Sequence, residues 1–317
     1  MEMNMGDSEF YQITSSGLKT VSEDEFWEQS DTIAVIDADK LKNSQTFGQF
    51  CSSCTECAYV RGSRIVRGED YILIEWQVPE KTKKNGSWRY TIFVKSSKII
   101  CIQYETTQGK VQKLISACDY KFVKEQAEDY TKERFLYGLF SAMIADDLQY
   151  MEKLERTLAV LEEEVFYTGG MDFNNSMLQV KKKIFQFYQY YSRFIEIASV
   201  LEENENAVLD AQHTAYFSRI KEKAQRLAAE TQVLREYAVQ VQEVYQSELG
   251  IRQNHIMKIL TAVTTVCLPL NLIAGWYGMN FSYMPELSWK YGYPMAAGIS
   301  GLVLVLLLWL FRRKGFW

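Results

Sequence analysis

A chain of 317 residues, 47% of them hydrophobic and 24% charged, can bury a sizeable core and fill more than one domain. The net charge of −5 gives no electrostatic reason to expect a nucleic-acid polymer as partner. Two histidines, with no phosphate-binding glycine loop, no H-E-x-x-H helix and no G-x-S-x-G elbow, offer no recognisable catalytic constellation, so neither an enzyme nor a catalytic cofactor is expected. The charge is unevenly spread: residues 259–277 and 291–311 contain none.

In chain order, residues 1–10 carry acidic side chains and lack a basic start and an apolar segment, so no signal peptide is expected and the hydrophilic part should stay in the cytoplasm. Ser22 with Glu25 fits a capping box opening a short helix, and residues 32–36 read as a strand. Residues 71–78, 87–95 and 98–103 are rich in β-branched and aromatic residues, and Asn85-Gly86 is a turn signal between the first two, so an antiparallel meander is expected.

Cys51, Cys54 and Cys57 form a C-x2-C-x2-C run in a chain whose thiols should be free in a reducing compartment. The run has the spacing to give three thiolates to a zinc ion or a cluster, with Cys101 as a conceivable fourth ligand; incidental thiols near a strand are the alternative.

From about residue 131 the pattern turns helical and proline-free, with breaks at Gly169-Gly170 and around residues 202–206, so three long helices are expected. The third, starting near Ala207, meets no proline before Pro269 and would run on the order of 100 Å into the first apolar segment. Two stripes follow a three-and-four spacing along it. Leu227, Leu234, Tyr237, Val241, Val244 and Ile251 suit packing against neighbouring helices. Glu243, Ser247, Gly250, Asn254, Met257, Thr261, Thr264, Leu268, Asn271 and Gly275 form the other.

Each uncharged segment is long enough to cross a hydrocarbon core about 30 Å thick. Arg252 and Lys258 precede the first, Arg312, Arg313 and Lys314 follow the second, and the connecting loop offers Lys290, so both termini are expected inside. Trp276, Tyr277, Tyr283, Trp289, Tyr291 and Tyr293 crowd the outer end, as interfacial aromatics would. Within the first span, Thr261, Thr264 and Asn271 share the second stripe with Gly275, and polar side chains at membrane depth should face protein or water. A threonine can bond its own helix; the Asn271 amide needs an external partner. Two spans cannot enclose a path alone, so a pore requires several copies. The expected organisation is an α+β cytoplasmic domain over residues 1–125, a helical stalk over 126–255, a two-helix membrane domain over 256–311 with an outer loop 278–292, and a basic tail 312–317.

At Tyr277-Gly278-Met279-Asn280-Phe281 and Met284-Pro285-Glu286-Leu287 the sequence resembles the CorA family of magnesium channels, whose mark is Gly-Met-Asn after the first of two C-terminal spans. The resemblance is tight from about Glu243 onward and architectural before it. It implies a funnel-shaped homopentamer in the cell (inner) membrane, with the long helix lining a pore. It further implies that Asn280 rings the entrance beside Gly278 and Met279, with Glu286 adding negative potential at the mouth. An amide ring suits magnesium, which dehydrates reluctantly and keeps its water shell. Below it, Asn271 stands where the family often has threonine, Leu268 and Met257 with Leu260 or Thr261 form apolar constrictions, Thr264 lines the wall, and Asn254 and Glu243 continue inward. Arg219 falls where the family's regulatory stalk aspartate would align; Glu222 and Glu243 are the acidic candidates left nearby, and a gating ligand other than magnesium becomes a hypothesis. The implied function is passive uptake of magnesium, with cobalt and nickel possible. The alternatives are a zinc or other transition-metal transporter of the same superfamily, or a membrane sensor gated by another cytoplasmic ligand.

Overall fold

The computed structural model describes residues 8–51, 63–82, 86–104, 110–125, 130–167, 172–279, 284–285 and 289–313. The chain divides into two compact units, Met1–Val241 and Gln242–Trp317. In the first, β1 (Glu9–Thr14), β2 (Gly17–Thr20), α1 (Glu23–Glu28), β3 (Thr32–Asp37), α2 (Ala38–Asn43) and α3 (Gln45–Phe50) precede β4 (Arg64–Arg67), β5 (Tyr71–Pro79), β6 (Ser87–Lys95) and β7 (Lys98–Gln103). Helices α4 (Lys110–Glu125), α5 (Lys132–Met143), α6 (Asp147–Tyr167) and α7 (Phe173–Glu203) follow. Helix α8 (Ala215–Tyr277) begins in the first unit and ends in the second, which also holds α9 (Gly292–Arg313).

The strands form one seven-stranded sheet in the order β2-β1-β3-β7-β6-β5-β4, antiparallel except for the central β3–β7 pair. Both faces are buried, which is why β3, β5 and β7 read as near-continuous apolar runs. On one face, α1, α2 and α3 insert Phe26, Leu41 and Phe47 against Phe10, Ala34, Leu73, Phe93 and Ile100. On the other, Trp76 meets Phe194 at 4.5 Å, Phe140 at 5.3 Å and Tyr190 at 6.2 Å between ring centroids, and the Tyr90 hydroxyl reaches Met143 Sδ at 2.6 Å. Aromatic side chains on α5 and α7 thus anchor the helical layer to the sheet.

The α1 capping box forms as expected: Glu25 N donates to Ser22 Oγ, and Ser22 N to the Glu25 carboxylate. The β5–β6–β7 meander is also present, with Trp76 opposite Tyr90 and Phe93 opposite Ile100. The β5–β6 connection runs from Glu80 to Gly86, with Glu80 N donating to Gly86 O at 2.8 Å, so it is longer than a two-residue turn; Asn85 lies outside the described residues. Strands β1, β2 and β4 and the parallel pairing were not anticipated. Their runs are short, and a parallel neighbour separated by some 65 residues leaves no local turn signal.

The helical region also differs in detail. The first expected helix is two, α5 and α6, separated at Ile144–Asp146, where Ala145 N and Asp147 N bond back only three residues. The break is held by chemistry: buried Asp147 takes a 2.9 Å bond from Tyr191 and an ion pair from Lys81 at 2.8 Å. Helix α7 ends at Asn204, in the left-handed region at φ 43, within the break expected at residues 202–206. Asn204 then clasps Leu209 through both amide atoms, and the long helix starts at Ala215 rather than near Ala207.

Candidate functional site

Helix α8 carries the candidate site, and its upper part is fixed within the first unit. Phe217, Ile220, Ala224, Leu227, Thr231, Leu234, Ala238 and Val241 repeat at three-and-four spacing and are all buried. Further ties flank that seam: the Tyr216 and Tyr137 rings lie 5.4 Å apart between centroids, Lys221 pairs with Glu202 of α7 at 3.0 Å, and the Tyr237 hydroxyl donates to Glu162 of α6 at 2.7 Å. The Glu162 carboxylate, aided by partial burial, pushes the Tyr237 phenol up to about 12. The packing stripe named from sequence is buried at Leu227, Leu234 and Val241, while Tyr237 and Val244 are half-buried and Ile251 is exposed. Arg219 and Glu222 lie on the exposed side of α8.

In the second unit α8 presents two unlike faces. Ala262 is buried, and Val266, Pro269, Leu270, Ile273 and Tyr277 are half-buried. At 3.6 residues per turn, the stripe from Glu243 to Gly275 falls on nearly the opposite side of the helix. All of it is exposed, including Asn254, Met257, Thr261, Thr264, Leu268 and Asn271, and a Cβ added at Gly250 or Gly275 would meet nothing within 4 Å. Thr261 and Thr264 donate to the carbonyls of Met257 and Leu260, each at 2.8 Å, so their hydroxyl hydrogens are taken by their own helix. Asn271 has a two-ended amide on the same face and is the stronger polar mark. Leu260 is exposed beside the stripe.

Helices α8 and α9 are the described helices long and apolar enough to cross a membrane. Only 6% of the most apolar window of each is buried, leaving surface for lipid or further copies. Helix α8 exits through Gly278 N to Ala274 O at 2.9 Å and Met279 N to Trp276 O at 3.3 Å, which bring Gly278 and Met279 to its end. Asn280 and Glu286 lie outside the described residues, as does Tyr283. Trp289 and Tyr291 meet edge to face at 6.0 Å ahead of α9, and Tyr293 is 87% exposed, as an interfacial ring would be.

The cysteines divide across the sheet. Cys51 is buried in the apolar cluster with Ile100 and Ile102, so Cys101, between them, points to the other face beside Tyr90 and Cys118. Burial and the neighbouring Cys118 push the Cys101 thiol up to about 12, unsuited to a metal thiolate. Cys101 cannot join Cys51 as a ligand; Cys54 and Cys57 lie outside the described residues. Among the described residues no group of three His, Cys, Asp or Glu side chains is arranged to hold a metal.

Two features escaped the sequence reading. The Asp147–Lys81–Tyr191 cluster joins residues far apart in the chain, so no local pattern announces it. Lys258, a topology signal in the sequence, also stands one helical turn from His255 before the first span, a pairing that the topology reading does not use.

A model of the family described as CorA-like Mg2+ transporter protein matches residues 65–313. The cobalt/magnesium transport protein CorA of Thermotoga maritima is 30% identical over 192 residues, 61% of this chain and 54% of that protein. A putative metal ion transporter of Bacillus subtilis, YfjQ, is 34% identical over 175 residues, 54% of this chain and 51% of that one. The chain thus spans about half the length of either relative. Among solved structures, the complete CorA magnesium transporter of Methanocaldococcus jannaschii superposes with a TM-score of 0.77 over 98% of both chains at 19% identity, which establishes a shared fold.

Proposed function

Because the chain belongs to the CorA-like Mg2+ transporter family, a family of transporters and not of enzymes, we propose that it conducts divalent cations, magnesium foremost, with cobalt and nickel admitted. Transport is passive and inward, driven by the membrane potential and the concentration gradient. The observation that carries this reading is the stripe from Asn254 to Gly275: a face of a membrane-length helix that sets Asn, Thr and Gly beside Met257 and Leu268, wholly exposed and turned away from the residues of α8 that are buried within the chain. Such a face at membrane depth calls for water or for other copies of itself, and a ring of copies supplies both.

In this reading the protein is a homopentamer in the cell membrane with both termini in the cytoplasm, in keeping with the basic residues at Arg252, Lys258, Arg312 and Arg313. Asn280, with Gly278 and Met279, forms the entrance and recognises a hydrated ion; Glu286 concentrates cations outside it. Asn271 offers an amide ring lower down, Leu268 and Met257 narrow the path by apolar rings that close it by dewetting, and Asn254 and Glu243 line the inner end. An oxygen-rich, thiol-free lining favours hard cations over zinc. Arg219, in place of an acidic residue, supports control by a cytoplasmic ligand other than magnesium.

The test is flux into liposomes holding the purified full-length protein, with magnesium, cobalt, nickel and zinc compared at several internal magnesium levels. Magnesium entry that falls at least about tenfold in Asn280→Leu supports the assignment, since tenfold corresponds to the loss of roughly 1.4 kcal/mol at the controlling step. Ready zinc transport with no magnesium transport would sink it. Closure at low-millimolar internal magnesium would remove the need for another gating ligand.

A further inference from the structure

Within the second unit, α8 and α9 leave between them a cleft of about 530 Å³. Its walls are apolar: Ile259 and Val266 from α8, Leu308 and Phe311 from α9, with Ala262 at the base. His255 and Lys258 line it at one end. Residues 259–266 rise about 10 Å along the helix, so the apolar part is an elongated slot rather than a surface dimple.

Among the described residues no carboxylate pairs with Lys258 at this end. In the sequence from Leu249 onward the one acidic side chain is Glu286, which lies outside the described residues. Arg252 is held by Glu248 at 3.1 Å, and Arg313 lies over the Trp309 ring at 5.4 Å; Arg312 directly follows the wall residue Phe311. The cleft therefore offers the Lys258 ammonium and the His255 imidazole to a negative group whose remaining body is hydrocarbon. It also lies on the side of α8 away from the Asn254–Gly275 stripe, so its occupant need not compete with a passing ion.

We propose that this cleft is a binding site for an anionic phospholipid, with the phosphate at His255 and Lys258 and one acyl chain in the slot between α8 and α9. The inference rests on the reading of these helices as membrane spans with Lys258 at the cytoplasmic side. A zwitterionic lipid would bring its own cation to an already positive end, and a second copy of either helix would leave Lys258 unanswered, because neither helix carries a carboxylate beyond Leu249. Basic pockets between membrane helices on the cytoplasmic side select anionic headgroups by this charge pairing.

The test uses full-length protein in phosphatidylcholine vesicles containing spin-labelled phosphatidylglycerol or spin-labelled phosphatidylcholine, with magnesium flux measured on the same preparations. The wild type should immobilise phosphatidylglycerol in preference to phosphatidylcholine. The preference should fall about fivefold for Lys258→Gln, the weight of one surface cation against an anionic lipid. Ala262→Trp, which fills the slot and keeps Lys258 and His255, should release the immobilised label. Equal immobilisation of the two lipids by the wild type would overturn the proposal. So would a preference untouched by both substitutions, or one lost only when Ala262→Trp also changes the oligomer size, which would mark the slot as an interface between copies. Flux without lipid preference would remove this inference and leave the transport reading standing; lipid preference without flux of any divalent cation would do the reverse.

Discussion

Helix α8 carries the same three-and-four repeat in both units, with opposite outcomes. From Phe217 to Val241 every repeat position is buried by its own chain, and from Glu243 to Gly275 every one is exposed. The difference lies in composition. The upper seam is Phe, Ile, Leu, Val and Ala with a single threonine, whose hydroxyl is taken by Ala228 O at 2.7 Å. The lower stripe mixes Asn, Thr, Gly and Met, side chains that make a poor dry seam and a usable wet one. Periodicity thus tells that a face has a partner; the residues on it tell whether that partner is hydrocarbon, protein or water.

The sharpest way to break the comparison is to put one charge on each face. Ala238→Asp would bury an unpaired carboxylate in the upper seam at a cost of at least about 3 kcal/mol, and loss of folded full-length protein in a thermal melt is the expected result. An equal loss of thermal stability from Asn254→Asp, on the exposed stripe, would refute the distinction. The next effect is in the helical layer: Asp147→Ala strands both Lys81 and Tyr191 and should cost about 3 kcal/mol, lowering Tm by several degrees, whereas Asp147→Asn keeps an acceptor for Tyr191 and should cost less than half of that. On the lower stripe, Asn271→Leu should leave Tm unchanged and cut magnesium flux about tenfold, while Thr264→Val should change flux by no more than about twofold, because the Thr264 hydroxyl hydrogen is already spent on Leu260. Equal flux losses for the two would mean that the wall is read by shape and not by its free amide.

Much of this was legible beforehand because local rules reach it. The α1 cap, the meander strands and the upper seam of α8 rest on residues within a few positions of one another. The lower stripe was readable for the same reason, since Thr261, Thr264 and Asn271 declare a polar face inside an uncharged segment. The rest depends on distant pairings. Strand β3 finds β7 across most of the domain, and Asp147 fixes a helix break through Lys81, some 66 positions away. The sheet also decides what spacing cannot: Cys51 and Cys101 are both candidate ligands by residue type and are separated by its thickness.

The smallest expected effect lies at the bond nearest the change from seam to stripe. Tyr237 donates to Glu162 from an otherwise half-exposed position, so Tyr237→Phe should cost only about 0.5–1.5 kcal/mol and leave the seam intact. Its pH dependence gives a cleaner test. The phenol titrates near 10 when free and is pushed up to about 12 in the folded chain, so the folded state holds the proton more tightly. The contribution is therefore fully present below pH 10 and declines as pH rises from 10 through 12. The difference in Tm between the wild type and Tyr237→Phe should be flat from neutral pH to about 9 and shrink above 10. A difference that stays constant through pH 11 would show that Glu162 does not hold this proton in the folded chain.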